Sequence, residues 1–182
     1  MEIGIIFGGL VALFFLYAIV KNCLNPPKEI PWNEVPLELQ QAVTTTLPGF
    51  QVKTVRHLPA VHKYQLNGSY QDRPFKGKLE RNSKGQLREI DFEDRTPGYS
   101  ILRKQICELA DLSPEALTCM GELLGTEREA FQLVRVSQGF LAEEPVFAID
   151  AKTPENSWEF EITHSGRLLE LEKKPRSSSH HF

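Results

Sequence analysis

A chain of 182 residues leaves room for one ordinary domain or two very small ones once a terminal segment is subtracted. Hydrophobic residues at 41% and charged residues at 25% are globular proportions and exclude a disordered chain. A formal charge of -3 excludes the concentrated basic surface of a nucleic-acid binder.

Residues Ile3 to Val20 read IGIIFGGLVALFFLYAIV, with no charge and no proline. At about 1.5 Å per residue this run approaches a hydrocarbon core of roughly 30 Å. A cleaved secretory leader would start with basic residues and leave through a small-x-small site, whereas this stretch starts Met1-Glu2 and leaves through Ile19-Val20-Lys21. The expectation is therefore an uncleaved single-pass transmembrane anchor over residues 1–22, in a cell membrane, with Tyr17 and Lys21 at the interface. Gly4, Gly8 and Ala12 recur every four residues and would lay small side chains along one helix face, so a homodimer through the anchor is the matching expectation. Lys21 and Lys28 follow the anchor and no Lys or Arg precedes it, which favours a cytoplasmic soluble part. Cys23 stands where acylation occurs at a membrane face. With Cys107 and Cys119 it makes an odd set without metal-ligand spacing.

Asn25, Pro26, Pro27 and Pro31 form a stiff linker over 23–31, because proline fixes φ and stops the helix. From Trp32 a folded unit is expected. Asn33 caps a helix that tolerates Pro36 in its first turn and carries Val35, Leu39, Val43 and Leu47 as its apolar stripe. Pro48-Gly49 ends it, and strands follow over Phe50–Leu58, Val61–Tyr70, Phe75–Arg81 and Gln86–Glu93. After Pro97-Gly98 the pattern restarts, with one helix over Ile101–Ala110 and a second opened by Ser113-Pro114 and closed by Gly125. The next strands are Ala130–Val136, Val146–Lys152, Trp158–Thr163 and Arg167–Glu172, with turns at Ser137-Gln138-Gly139, Thr153 to Asn156 and Ser165-Gly166. Residues 176–182 read as a frayed tail. The expected fold is α+β: the transmembrane helix, then two tandem small modules over 32–96 and 97–175, each with its helix or helices on an antiparallel meander.

Tandem copies must keep side-chain parity on matching strands. Tyr64 matches Phe147, Phe75 matches Trp158 and Leu79 matches Ile162 at one offset. Beyond a turn lengthened by Asn82 and Ser83, Gly85-Gln86-Leu87-Arg88-Glu89-Ile90-Asp91 aligns with Gly166-Arg167-Leu168-Leu169-Glu170-Leu171-Glu172. Both endings, a glycine turn and a Leu-x-Glu-hydrophobic strand, resemble the PepSY-like (beta-lactamase-inhibitor-like) domains, bacterial modules of a helix against an antiparallel sheet. The resemblance implies a non-catalytic protein-binding or inhibitory module and an extracytoplasmic location, the latter against the charge count. The second copy departs from the family in its extra helix.

If Arg81 opposes Gln86, Phe75 faces Phe92 and Gly77 faces Ile90, while the other surface pairs Lys78 with Glu89 and Lys76 with Asp91. In the second copy a two-residue turn sets Trp158, Phe160 and Ile162 against Leu169 and Leu171, leaving Glu159 and Glu161 beside Glu170 and Glu172. Four carboxylates on one face, with Lys152, Lys173 and Lys174 nearby, suggest docking of a basic protein partner. Carboxylates spaced along strands do not converge as a calcium loop does. His57, His62 and His164 lie at turns without zinc-ligand neighbours, and no nucleophile motif or phosphate loop occurs, so no catalytic, cofactor or metal site is read. Two roles follow: a membrane-anchored binding module, or a structural subunit of a larger membrane assembly.

Overall fold

The computed structural model describes residues 25–96, 105–141 and 143–176. Its elements are β1 (Lys28–Ile30), α1 (Leu37–Thr46), β2 (Gln51–Leu58), β3 (Lys63–Tyr70), β4 (Arg73–Arg81) and β5 (Leu87–Asp94). They continue with β6 (Gln105–Cys107), α2 (Pro114–Leu124), β7 (Gln132–Leu141), β8 (Glu144–Lys152), β9 (Asn156–Thr163) and β10 (Leu168–Pro175). All ten strands form one antiparallel sheet in the order β1-β2-β3-β4-β5-β10-β9-β8-β7-β6.

Alternation of side chains along each strand sorts the sheet into two faces. Ile30, Val55, Leu66, Gly77, Phe92, Leu171, Phe160, Ile149, Val136 and Cys107 stand opposite one another in sequence, an apolar row that crosses every strand. On this face Leu39, Val43 and Leu47 of the α1 region and Ala116, Met120, Leu123 and Leu124 of α2 join the same core. Each fully buried Leu, Ile or Phe contributes roughly 1.5–3 kcal/mol of transfer free energy. Gly77 keeps the row packed, since a Cβ there would sit 3.0 Å from Phe92 Cε1 and 3.2 Å from Leu66 Cβ.

The helix ends follow local chemistry. Ser113 accepts a hydrogen bond from Ala116 N–H at 3.1 Å, and Pro114 fills the first helical position, where no N–H is needed. Gly125 ends α2 at φ +52.

The structure corrects the expected fold class. In place of two separate α+β modules there is one continuous sheet, because β5 and β10 pair antiparallel with Leu171 opposite Phe92 and Glu172 opposite Asp91. Each strand would otherwise end its meander with an unpaired row of N–H and C=O groups, and pairing satisfies both rows. The helix expected over Ile101–Ala110 is also corrected: Gln105–Cys107 is the edge strand β6, and Leu109–Asp111 is a single 3-10 turn. Strand β7 runs through Ser137-Gln138-Gly139, expected as a turn, and reverses direction only after Leu141. Lys28–Ile30, within the stretch read as a linker, pairs with β2.

The single-pass membrane reading is corrected too. Among the described residues no helix is long and apolar enough to cross a membrane. The segment expected to span, residues 1–22 with Gly4, Gly8 and Ala12, lies outside the described residues, as does Cys23. The same finding corrects the expected integral membrane attachment, cell-membrane location and homodimer through the anchor.

The carboxylate band as a candidate functional site

Displaced by one residue from the apolar row, side chains point to the face away from the helices. One such row runs Arg56, Gln65, Lys78, Asp91, Glu172, Glu159, Asp150, Arg135. Its neighbour runs Thr54, Asn67, Lys76, Glu93, Glu170, Glu161, Ala148, Ser137. The centre of the face, across β5, β10 and β9, is thus a carboxylate band, with bases toward β4 on one side and Arg135 on the other. Glu159 stands opposite Glu172, and Glu161 opposite Glu170, in one register after a bulge at Leu169.

Like charges directly opposite across strands destabilise a sheet, and cations are interleaved with this band. Lys78 Nζ pairs with Glu89 and, at 3.2 Å, with Asp91. Lys174 pairs with Glu172, Arg95 Nη1 lies 3.5 Å from Glu93, and Arg135 Nη2 lies 2.9 Å from Asp150. Burial pushes the Asp91 carboxyl above its usual range and Glu89 and Glu93 add to the push, while Lys78 opposes it. The carboxylates lie along rows rather than around a point, and among the described residues no group of three or more His, Cys, Asp or Glu is placed to hold a metal ion.

Lys173, expected to screen the acidic face, stands on the helix side, opposite both Trp158 and Ile90. Its Nζ lies 4.2 Å from the Trp158 ring centroid and 2.9 Å from Glu127 Oε1. Glu127 also accepts hydrogen bonds from Thr153 Oγ1 (2.6 Å), Asn156 Nδ2 (3.0 Å) and Trp158 Nε1 (3.1 Å). Desolvation alone would raise its pKa, but these four donors outweigh it and hold the carboxyl at about 2. This hub locks the β8–β9 turn beneath the segment after α2 and so fixes the strand that carries Glu159 and Glu161.

The remaining candidate residues are dispersed. His57 stacks on Tyr64 with ring centroids 4.3 Å apart, His62 begins the turn into β3, and His164 sits at the β9–β10 turn. Cys107 and Cys119 are free thiols. Burial, reinforced by Glu122 against a smaller opposing effect of Arg73, pushes Cys119 up to about 11, so it stays protonated at neutral pH.

Sequence reading overlooked Asp91, Glu93 and Asp150 as members of the band. Asp150 follows from extending β8–β9 parity by one strand, since it faces Glu159. Asp91 and Glu93 join only through β5–β10 pairing, for which no short-range turn gives a signal. The first-hairpin register also differs by two residues, with Lys78 opposite Asp91 and Gly77 opposite Phe92, because Arg81 faces Leu87 instead of Gln86 and a bulge between Glu80 and Arg81 adds the second residue. An even shift leaves every side chain on its expected face.

No protein-family model matches the chain, and no curated protein matches it. Among solved structures, a DUF2874 family protein from Bacteroides uniformis is 11% identical, with 81% of this chain and 93% of that chain covered, at a TM-score of 0.28. A BLIP-like protein from Bacteroides fragilis is 13% identical, with 79% and 89% covered, at 0.30. A DUF2874 family protein from Bacteroides ovatus is 14% identical, with 80% and 91% covered, at 0.29. TM-scores this low carry neither fold nor function across to this chain.

Proposed function

We propose that the chain is a non-catalytic protein-binding module that captures a basic partner surface on the sheet face away from its helices. The observation that carries this reading is the band in which Asp91 and Glu93, Glu170 and Glu172, and Glu159 and Glu161 stand on three adjacent strands. Glutamates directly opposite one another on neighbouring strands repel. A basic partner offsets that repulsion on docking, steers the encounter, and fixes orientation because Lys76 and Lys78 border the band on one side. A strand scaffold suits the task, since the charges keep their spacing without a ligand.

Crosslinking and affinity capture with the full chain test the proposal. The wild-type chain should retain a basic partner at low ionic strength and release it as salt rises. The double substitution Glu161→Lys/Glu170→Lys should abolish that capture while leaving the fold intact by circular dichroism. Capture that survives the charge reversal unchanged would overturn the assignment.

A further inference from the structure

On the helix side, remote from the carboxylate band, a cleft of about 330 Å³ opens between the β2–β3 connection and the β4–β5 turn. Its wall carries His57, His62, Arg81, Ser83 and Lys84, with Gly85 in the turn. These side chains converge for identifiable reasons. His62 takes a left-handed conformation, φ 53, at the end of the 3-10 turn Pro59–Val61, a position more easily filled by glycine or asparagine. Its backbone is held on both sides: His62 N–H donates to Pro59 O at 3.2 Å, and Arg81 N–H donates to His62 O at 3.0 Å. Gly85, at φ +83, leaves room for the guanidinium, since a Cβ there would sit 2.8 Å from Arg81 Nη2. Arg81 Nε donates to Gly85 O and Nη2 to Glu38 Oε1 at 3.0 Å. The Nη1 group remains for a ligand.

The charge around this cleft is strongly unbalanced. The groups facing His57 are Tyr64 of β3, stacked on its ring, Lys28, its partner across β1–β2, Arg81 on β4 and His62 at the head of β3. Glu38 of α1, 65% exposed, pairs with Arg81. Among the described residues no carboxylate pairs with His57, His62 or Lys84. Burial lowers the His57 pKa, and Arg81, His62 and Lys28 lower it further.

We infer that this cleft is a binding site for a phosphoryl-type oxyanion, free or carried as a small phosphate ester. The Arg81 guanidinium and Lys84 ammonium supply fixed charge, Ser83 supplies a hydroxyl donor, His62 supplies a ring N–H, and His57 supplies a donor whose charge depends on pH. The volume exceeds that of the anion alone and leaves space for the group to which it is esterified. A bound anion favours the protonated His57 imidazole, so binding and His57 protonation are linked: the anion raises the His57 pKa, and low pH tightens binding.

Sulfate is a suitable probe because its own charge is constant between pH 5.5 and 8. Calorimetric titration of the full chain should show one saturable site that tightens as pH falls across that range. Imidazole resonances of His57 should titrate at higher pH with sulfate present than without it. Lys84→Ala and His62→Ala, both at exposed positions, should each weaken sulfate about tenfold, the loss of one charge-assisted contact. Lys84→Ala should leave the thermal midpoint in place; His62→Ala, at φ 53, lowers it, so His62→Asn, which tolerates that conformation, serves as the stability-matched control and should show the same loss of sulfate. Inorganic phosphate should compete with sulfate, and tighter binding of glycerol phosphate than phosphate would identify an ester as the ligand, the reverse order the free ion. Acetate binding as tightly as sulfate, sulfate affinity unchanged in both variants, or perturbations that map elsewhere would each overturn the site.

Discussion

Glu127 shows how one side chain organises a region. Four donors from three segments converge on its carboxylate, which is 22% exposed. With an ordinary value of 4.5 and a folded value of about 2, the group binds protons less readily in the folded chain. Its stabilisation is therefore fully present above pH 4.5 and disappears as pH falls from 4.5 toward 2. After allowance for partial solvent access, the contribution at pH 7 is about 2 kcal/mol. Glu127→Gln removes the charge and turns an amide N–H₂ toward Asn156 or Lys173, so it should destabilise the protein by about that amount in urea unfolding at pH 7. The gap between variant and wild type should narrow when the measurement is repeated near pH 3. A constant gap would show that shape rather than charge holds the hub. Nothing in the local sequence marks Glu127 for this role, because its partners lie up to 46 positions away and it sits in a turn where a glutamate normally faces water.

At the level of elements, legibility followed the range of the interactions involved. Seven of the eight longer strands and α2 declared themselves through alternation, Ser113-Pro114 and glycine turns, all local signals, whereas β7 is legible only as far as Val136 because Ser137-Gln138-Gly139 has the composition of a turn. The three-residue edge strands β1 and β6 did not, since three residues cannot display a period and exist as strands only because β2 and β7 offer them a ladder. Position Ser113 tests how much a local signal contributes. Its hydroxyl caps α2 through Ala116 N–H and also donates to His164 O at 2.5 Å, tying the helix to the β9–β10 turn. Ser113→Ala loses the cap, about 1 kcal/mol, and strips the partly buried His164 carbonyl of its donor, roughly another 1 kcal/mol. The denaturation midpoint should drop by the equivalent of about 2 kcal/mol with unchanged slope. Amide exchange should quicken in the first turn of α2. A loss confined to the cap alone would show that the β9–β10 turn is held without this bond.

For the whole molecule, the consequential feature is the junction of β5 and β10, which joins the two halves of the strand order and creates the carboxylate band. Parity within each hairpin placed Glu159, Glu161, Glu170 and Glu172 on one surface, but the full band needed a contact between residues 77 positions apart, Glu93 and Glu170. Glu170 stands between Glu161 and Glu93, with Cβ separations of about 4.5–5.5 Å expected on either side. That spacing is inside the screening length of roughly 8 Å at physiological ionic strength, so added salt relieves only part of the repulsion and more of it as concentration rises. Salt also weakens exposed pairs such as Arg135–Asp150, but these contribute at most about 1 kcal/mol each. The thermal midpoint of the wild-type chain should therefore rise between low and moderate sodium chloride. Glu170→Lys places a cation between two carboxylates, so the variant should melt about 2–4 °C higher at low salt, the shift that ~1 kcal/mol produces in a protein of this size. Its midpoint should respond to salt less than the wild type or in the opposite direction. Equal salt responses in the two proteins would mean that neighbouring cations already neutralise the band, leaving no repulsion for a basic partner to relieve.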